Sequence, residues 1–439
     1  MFQNIDVAAA FSSLRSLLLT SLFMIPCSLL ASPVPAEVNA LNRDIWTRFV
    51  AQPQGLLLDY ILADGTASLP TAEEATQGRP NAISWWTPME NGAFFNGLYL
   101  DGIVRRWGLT HAPEDREKAV TLVHGLTLCA TVGSTPGFIA RGVFADGKSH
   151  YGIGSDDQTS PWFYGLWRYL QSGIPSETER KELIAKMVEV AEAVQAAKWH
   201  MPCDSIGDLA PGQMRGSWAE SNYRSATRLL FVTRILFELT GDPRWEQLYN
   251  RALTEPMKDG QRLEIVTRGM PGEWLKTPDL AKNQLWIYVN PQAMVRELLA
   301  LEKRPEIRAC YAASLQATAD ACRAKIKTDV SRLGSAPFLT DWRVMNELWR
   351  PQPLVGDAVK LAMEQLHFWK NQGKTIEAQS VREPLCAAWI TFLSSEQPDP
   401  EALRQFSETF ASIPWEKLSS SVGFFGECAW YASHTPSVK

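Results

Sequence analysis

Leu239-Thr240-Gly241-Asp242-Pro243 lies between two runs of helical periodicity, and its chemistry is that of a tight turn joining helices. Glycine just past a helix end reaches the left-handed conformation cheaply, aspartate caps the next helix, and proline suits a first turn. Similar punctuation recurs elsewhere. Pro113 precedes Glu114 and Asp115, and Pro175 precedes Ser176 with Glu179 three residues on. Both patterns start a helix. Working outward from these marks, the spacing of apolar residues predicts twelve helices over 44–62, 92–108, 113–132, 158–173, 176–199, 218–240, 243–257, 283–302, 305–329, 355–371, 377–395 and 399–412. Strand-like alternation is scarce.

The connectors then decide the architecture. Those after the second, fourth, sixth, eighth and tenth helix are tight: Gly108 to Ala112, Ile174-Pro175, Gly241-Asp242, Glu302 to Arg304 and Lys370 to Thr375. The others, 63–91, 133–157, 200–217, 258–282 and 330–354, are mostly too long for plain turns. Six helical hairpins with every long link at one end describe an all-α fold, an (α/α)6 barrel occupying 37–439 as one domain. An α-solenoid would carry a consensus at a fixed period, and none is visible.

The chain has 439 residues, 45% hydrophobic, which is enough apolar material for a large core. A net charge of −5 without a basic stripe argues against a nucleic-acid partner. No G-x-S-x-G, phosphate-cradling loop or dinucleotide fingerprint occurs. Ser16 to Ala31 is an uncharged apolar run, short for a bilayer span and broken by Pro26, and Val34-Pro35-Ala36 offers small residues for cleavage. Residues 1–36 are therefore expected to be a signal peptide, with a periplasmic or secreted product and no stable membrane anchor. The cysteines beyond it lack zinc-ligand spacing, so neither a metal site nor a cofactor is expected. Cys310 and Cys322 fall in one predicted helix, about 18 Å apart at 1.5 Å per residue, and cannot bridge.

There are 17 tryptophans, more than packing alone needs, and several sit on the long links. Trp85 and Trp86 precede Glu90-Asn91. The link from Phe138 to Trp162 carries Arg141, an Asp146-Gly147 turn expected to form a small hairpin flap, His150-Tyr151 and Asp156-Asp157. The link ending near residue 223 carries Arg215, Trp218, Glu220 and Asn222. Indole faces against sugar rings, with acids, amides and arginines for hydroxyls and carboxylates, predict an oligosaccharide partner. Glu90 and Asp157 are the candidate catalytic carboxylates. Trp85, Trp86, Arg141, His150, Tyr151, Asp156, Trp162, Arg215, Trp218, Glu220 and Asn222 are candidate substrate contacts. Asp101, with Arg105 four residues on, reads as a structural ion pair. Trp107, Trp167, Trp199, Trp245 and Trp369 are expected in packing, whereas Trp274 and Trp342 lie beside the links.

Through Trp85–Gly97, Asp156–Tyr169 and the Leu239–Pro243 turn, the chain resembles the six-hairpin glycosidase superfamily. Within it, the chain is similar to the unsaturated glucuronyl and rhamnogalacturonyl hydrolases. The resemblance implies a carboxylate at the start of each of two inner helices, the second protonating substrate and activating water. Asp157 matches that second position and Glu90 the first, where the family carries aspartate. The implied function is an exported glycoside hydrolase acting on an acidic, uronate-containing oligosaccharide. A polysaccharide lyase using Tyr151 and His150 near Arg141, and a carbohydrate-binding toroid without chemistry, are the competing expectations.

Overall fold

A computed structural model describes residues 34–277, 284–338, 341–370 and 372–434. The expected signal peptide lies outside them, except for 34–36. The described residues are rich in helix and poor in strand. The long helices are α1 (Ala36–Arg48), α2 (Gly92–Thr110), α3 (Pro113–Thr131), α4 (Asp156–Gln171), α5 (Glu177–Ala196), α6 (Tyr223–Thr240), α7 (Pro243–Thr254), α8 (Trp286–Leu301), α9 (Pro305–Arg323), α10 (Val355–Trp369), α11 (Glu383–Phe392), α12 (Pro400–Ser412) and α13 (Gly423–His434). Three antiparallel ribbons, Val50–Ala51 with Leu56–Leu57, His200–Pro202 with Met214–Ser217, and Pro256–Met257 with Gly260–Gln261, decorate the links.

Short turns join α2 to α3, α4 to α5, α6 to α7, α8 to α9 and α11 to α12, and the members of each pair pack together. The remaining pair comes from opposite ends of the chain, α13 against α1. The first helix of each pair also packs on its counterparts: α2 on α4, α4 on α6, α6 on α8, α8 on α11, α11 on α13, and α13 on α2 again. These six helices are buried nearly all round. In α2 every residue from Gly92 to Arg105 is buried, and in α11 every residue is. Their partners bury one stripe; α7 buries Trp245, Tyr249, Ala252 and Leu253. An apolar surface on all sides demands neighbours on all sides, whereas a stripe suits a helix facing water.

The closest of these contacts, α2 on α4, depends on glycine. A Cβ at Gly97 would lie 2.1 Å from the Pro161 carbonyl oxygen, and one at Gly165 would lie 2.6 Å from the Gly97 oxygen. Lower down, buried charges join three of the six helices. Asp101 accepts from Arg105 (3.1 Å), Arg168 (2.7 Å) and Tyr164 (3.0 Å), and Arg168 reaches Glu297 at 2.9 Å. Burial would raise the Asp101 pKa, but Arg105 and Arg168 outweigh it and hold the carboxyl low. The structural reading of Asp101 is thus correct and incomplete, since its second cation comes from α4.

Four expectations need correction. The helix placed over 44–62 begins at Ala36 and ends at Arg48, because Pro53 and Gly55 (φ 68°) turn the chain into a ribbon. The 355–371 segment is helical as α10, but it packs on the 342–348 turn and on Trp86 rather than joining a pair. Its place beside α11 is taken by α12, expected to close on the first helix, and the place beside α1 falls to α13, whose Gly423-Phe424-Phe425-Gly426 start has no polar face to reveal a helical period. The Asp146-Gly147 flap is a tight turn without paired strands, held by the Asp146 carboxylate accepting from the Lys148 and Ser149 amides at 2.9 and 2.8 Å. Among the described residues no helix is long and apolar enough to cross a membrane, and the described cysteines are unpaired.

Candidate functional site

The long links deliver chain to the N-terminal ends of the buried helices, and five of those ends meet around one cleft of about 520 Å3. Glu90 and Asn91 before α2, Asp157 in α4, Arg224 in α6, Trp286 in α8 and Arg382-Glu383 at α11 all line it. Helix α10 adds an apolar wall of Met363, Leu366 and Trp369.

Trp85 and Trp86 also line the cleft, in a turn where Ser84 (φ 65°) and Trp86 (φ 73°) adopt left-handed backbone. Side chains costly to place there need outside support. The Glu90 carboxylate accepts the Trp86 amide at 2.7 Å, Tyr60 donates to the Trp86 carbonyl at 2.6 Å, and the Trp86 indole donates to Ala362 at 2.9 Å. Trp86 packs on Trp369 with centroids 5.8 Å apart.

Glu90 is therefore held on several sides. Asn91 approaches its other oxygen at 3.3 Å, and the Lys374 ammonium stands 3.7 Å from the carboxylate. Behind Asn91 lies Asp59, fully enclosed, accepting the Asn91 amide at 2.9 Å and its side-chain nitrogen at 2.7 Å. Burial raises the Asp59 carboxyl to about 7, with Lys374 pulling down and Glu90 pushing up.

Asp157 is anchored through Arg141, which is 1% exposed. The Arg141 guanidinium donates to the Glu90 carbonyl and the Ser155 hydroxyl, both at 2.9 Å, and lies 3.7 Å from Asp157. Ser155 in turn donates to Asp157. One buried cation thus ties together the segments bearing both candidate carboxylates. Burial would raise the Asp157 pKa, but Arg141, Arg215, the Ser155 hydroxyl and Arg228 outweigh it and bring the carboxyl down to about 2. Burial lowers Arg141 itself to about 10, which leaves it charged at neutral pH.

The other predicted contacts divide. Arg215 stacks over Trp85 at 5.3 Å and forms no ion pair with a described residue, so it is free at the rim. Asp156 is not on the cleft wall; it pairs with buried Arg228 and fills the space a Gly216 side chain would need. Asn222 caps α6 by accepting the Ser225 amide at 2.8 Å and also donates to Glu220 at 3.0 Å. Glu220 borders a separate shallow depression with His200 and Met214. Burial, then Asp156, raise the Glu220 pKa.

Four candidates are structural. Tyr151 is buried against Phe144 and donates to the Arg79 carbonyl. His150 faces the Lys148 carbonyl at 3.0 Å and Asp204 at 3.1 Å, within a knot that also binds Ser134 and Thr135. Trp162 donates to Leu126 at 2.9 Å inside the core, and Trp218 is buried beside Phe163 and Trp199. Each lies in or just after a link, which suggested the cleft, but its side chain turns inward. Trp274 lies against Tyr288, and Trp342 is buried with its indole on Ser68.

Sequence reasoning missed Asp59, Trp286, Lys374 and Arg382; Trp369, expected in packing, is 3% exposed and packs with Tyr60 and Trp86 at the edge of the cleft. The spacing of Lys374, Ala378 and Arg382 was the available signal, because it puts them on one helical face. Among the described residues no group of three His, Cys, Asp or Glu side chains could hold a metal ion. Comparison of the chain with known families, curated proteins and solved structures finds no match.

Proposed function

We propose that the chain is a single-domain (α/α)6 toroid and an exported glycoside hydrolase acting on an acidic, uronate-containing oligosaccharide. The cyclic order of contacts among α2, α4, α6, α8, α11 and α13 supports the toroid. The observation that carries the function is that Glu90 and Asp157, the two carboxylates chosen for glycosidic chemistry, line one cleft walled by Trp85, Trp86, Trp286 and Trp369. Such cleavage needs a proton at the leaving oxygen and a base for water.

The electrostatics divide those tasks in time. With its carboxyl near 2, Asp157 is ionised in the free enzyme but a weak base, so activating water also calls for a higher pKa in the complex. It becomes a proton donor only when its cationic surroundings are neutralised. A substrate carboxylate pairing with Arg215 would do that, so substrate binding itself raises the Asp157 pKa. Export rests on the apolar run before residue 34. A lyase built on Tyr151 and His150 loses support, since neither lines the cleft.

Turnover of uronate oligosaccharides by wild type, Asp157→Asn and Glu90→Gln tests the reading. The expected result is a loss of about 100-fold or more for Asp157→Asn; near-normal turnover would overturn the assignment. Ultraviolet absorbance of a conjugated uronate sorts the chemistry. It falls for an unsaturated-sugar hydrolase, stays level for an ordinary glycosidase and rises for a lyase. Binding without turnover across a broad glycan panel would favour the non-catalytic alternative.

A further inference from the structure

One wall of the cleft is a single segment with an uneven helix. A short α-helical piece, Gly373–Glu377, passes through a π-helical turn, Ala378–Arg382, into α11. Its lining residues are Lys374, Thr375, Ala378, Gln379, Arg382 and Glu383, a stripe at helical spacing. π turns cost hydrogen-bond geometry and concentrate at functional sites.

Two cations stand on this stripe, each over its own indole. The Lys374 ammonium lies 4.7 Å from the Trp369 ring centre and 4.6 Å from that of Tyr60. The Arg382 guanidinium lies 4.9 Å from the Trp286 ring centre. Eight positions, about two turns of the uneven helix, separate them. Their partners differ from those of the other cleft cations. Arg141 is committed to Glu90 and Ser155, and Arg224 to Glu273 at 2.9 Å. Lys374 forms no hydrogen bond with a described residue; its ammonium is buried, 3.7 Å from the Glu90 carboxylate and close enough to Asp59 to pull that carboxyl's pKa down. Arg382 spends Nε and Nη2 on one oxygen of Glu383, at 3.1 and 3.0 Å, leaving Nη1 without an acceptor. The other Glu383 oxygen accepts the Leu285 amide at 2.5 Å, so this carboxylate holds the guanidinium in place.

We propose that Lys374 and Arg382 form two anion subsites along one wall of the cleft, and that the ligand carries acidic groups on two different sugar rings. Trp286, half-buried, supplies a stacking face at the Arg382 subsite, and a cation with an unsatisfied donor at each subsite supplies the charge that selects an acidic ring over a neutral one. The proposal rests on the carbohydrate reading of the cleft and extends it from one acidic group to two at a set separation.

Titration of the full chain, followed by tryptophan fluorescence, tests it. The ligands are a linear tetrasaccharide with carboxylates on two rings, the same with one, and its carboxyl-reduced neutral form. Wild type should bind the two-acid form about tenfold more tightly than the one-acid form, the scale of one charge-assisted hydrogen bond. Lys374→Met and Arg382→Met should each bring that ratio close to one, with binding of the neutral form within about threefold of wild type. Lys374→Arg should restore the preference. Arg382→Lys, which keeps charge and fold but loses the planar fork, should restore it in part. Wild-type ratios in both methionine variants would overturn the proposal, as would a wild type that binds none of the three ligands. The hydrolase reading is judged separately. Wild type that prefers the two-acid form but cleaves nothing keeps the subsites and loses the reaction. Turnover with an unchanged preference in the variants keeps the reaction and loses the subsites.

Discussion

At the scale of single residues, the site is governed by what surrounds each carboxylate. Asp157 is anionic because Arg141, Arg215, the Ser155 hydroxyl and Arg228 outweigh the cost of burying it. Arg141→Lys keeps a charge but loses the fork to Ser155 and Glu90, and Arg141→Met removes both. The Asp157 pKa should therefore rise, more in Met than in Lys, carrying the acidic limb of kcat/KM upward. A limb fixed across the two variants would show that Arg141 does not set it. Asp59 gives a prediction of opposite sense. Its folded carboxyl keeps a proton up to about 7, whereas the usual value is 3.8, so the folded state binds more protons between those limits. Stability is then greatest below the lower value and declines as pH rises through the upper one, at up to about 1.4 kcal/mol per pH unit. Urea midpoints at about pH 5 and about pH 7.5 should show the decline in wild type and a flatter profile in Asp59→Asn.

At the scale of elements, backbone proximity between α2 and α4 sets how closely Glu90 and Asp157 approach. Gly97→Ala would drive its methyl into the Pro161 carbonyl, which belongs to a helix and cannot step aside. The expected loss is about 3 kcal/mol or more, with reduced activity because both carboxylates ride on the displaced helices. Gly108→Ala, in the same helix with nothing within 4 Å of the added carbon, should instead gain up to about 1 kcal/mol. Thermal midpoints of the two variants moving the same way would refute this account. The π-helical turn before α11 is the other decisive element. It was legible only as helix, because an inserted residue leaves the apolar spacing on either side intact.

At the scale of the molecule, the pairing of the first and last helices completes the set of contacts. Glu427 of α13 accepts Asn42 of α1 at 2.8 Å, Tyr99 of α2 at 2.7 Å and Tyr431 at 3.0 Å, while Asn42 accepts Lys118 of α3 at 2.6 Å. Asn42→Ala removes the buried acceptor of Lys118, which keeps its ion pair with Glu114 at 2.5 Å, and a donor to Glu427, and should cost about 1–3 kcal/mol; Tyr99→Phe should cost about 1 kcal/mol. Combined, they should cost less than the sum, because both act on one carboxylate. Strict additivity in urea unfolding would show that the network is not a unit.

The sequence by itself determined the helical class and most of the alternation of short and long links, since turn chemistry and apolar spacing are local. It also determined that Trp85 and Trp86 stand near a carboxylate, because they are neighbours in the chain. It could not separate Trp162 and Trp218, which turn into the core, from Trp286, which borders the cleft, because half a helical turn reverses a side chain without altering composition. Nor could it place Asp59, Lys374 and Arg382 in one site, or pair α1 with α13. Those contacts join residues far apart in sequence, and only the packing of buried helices against one another brings them together.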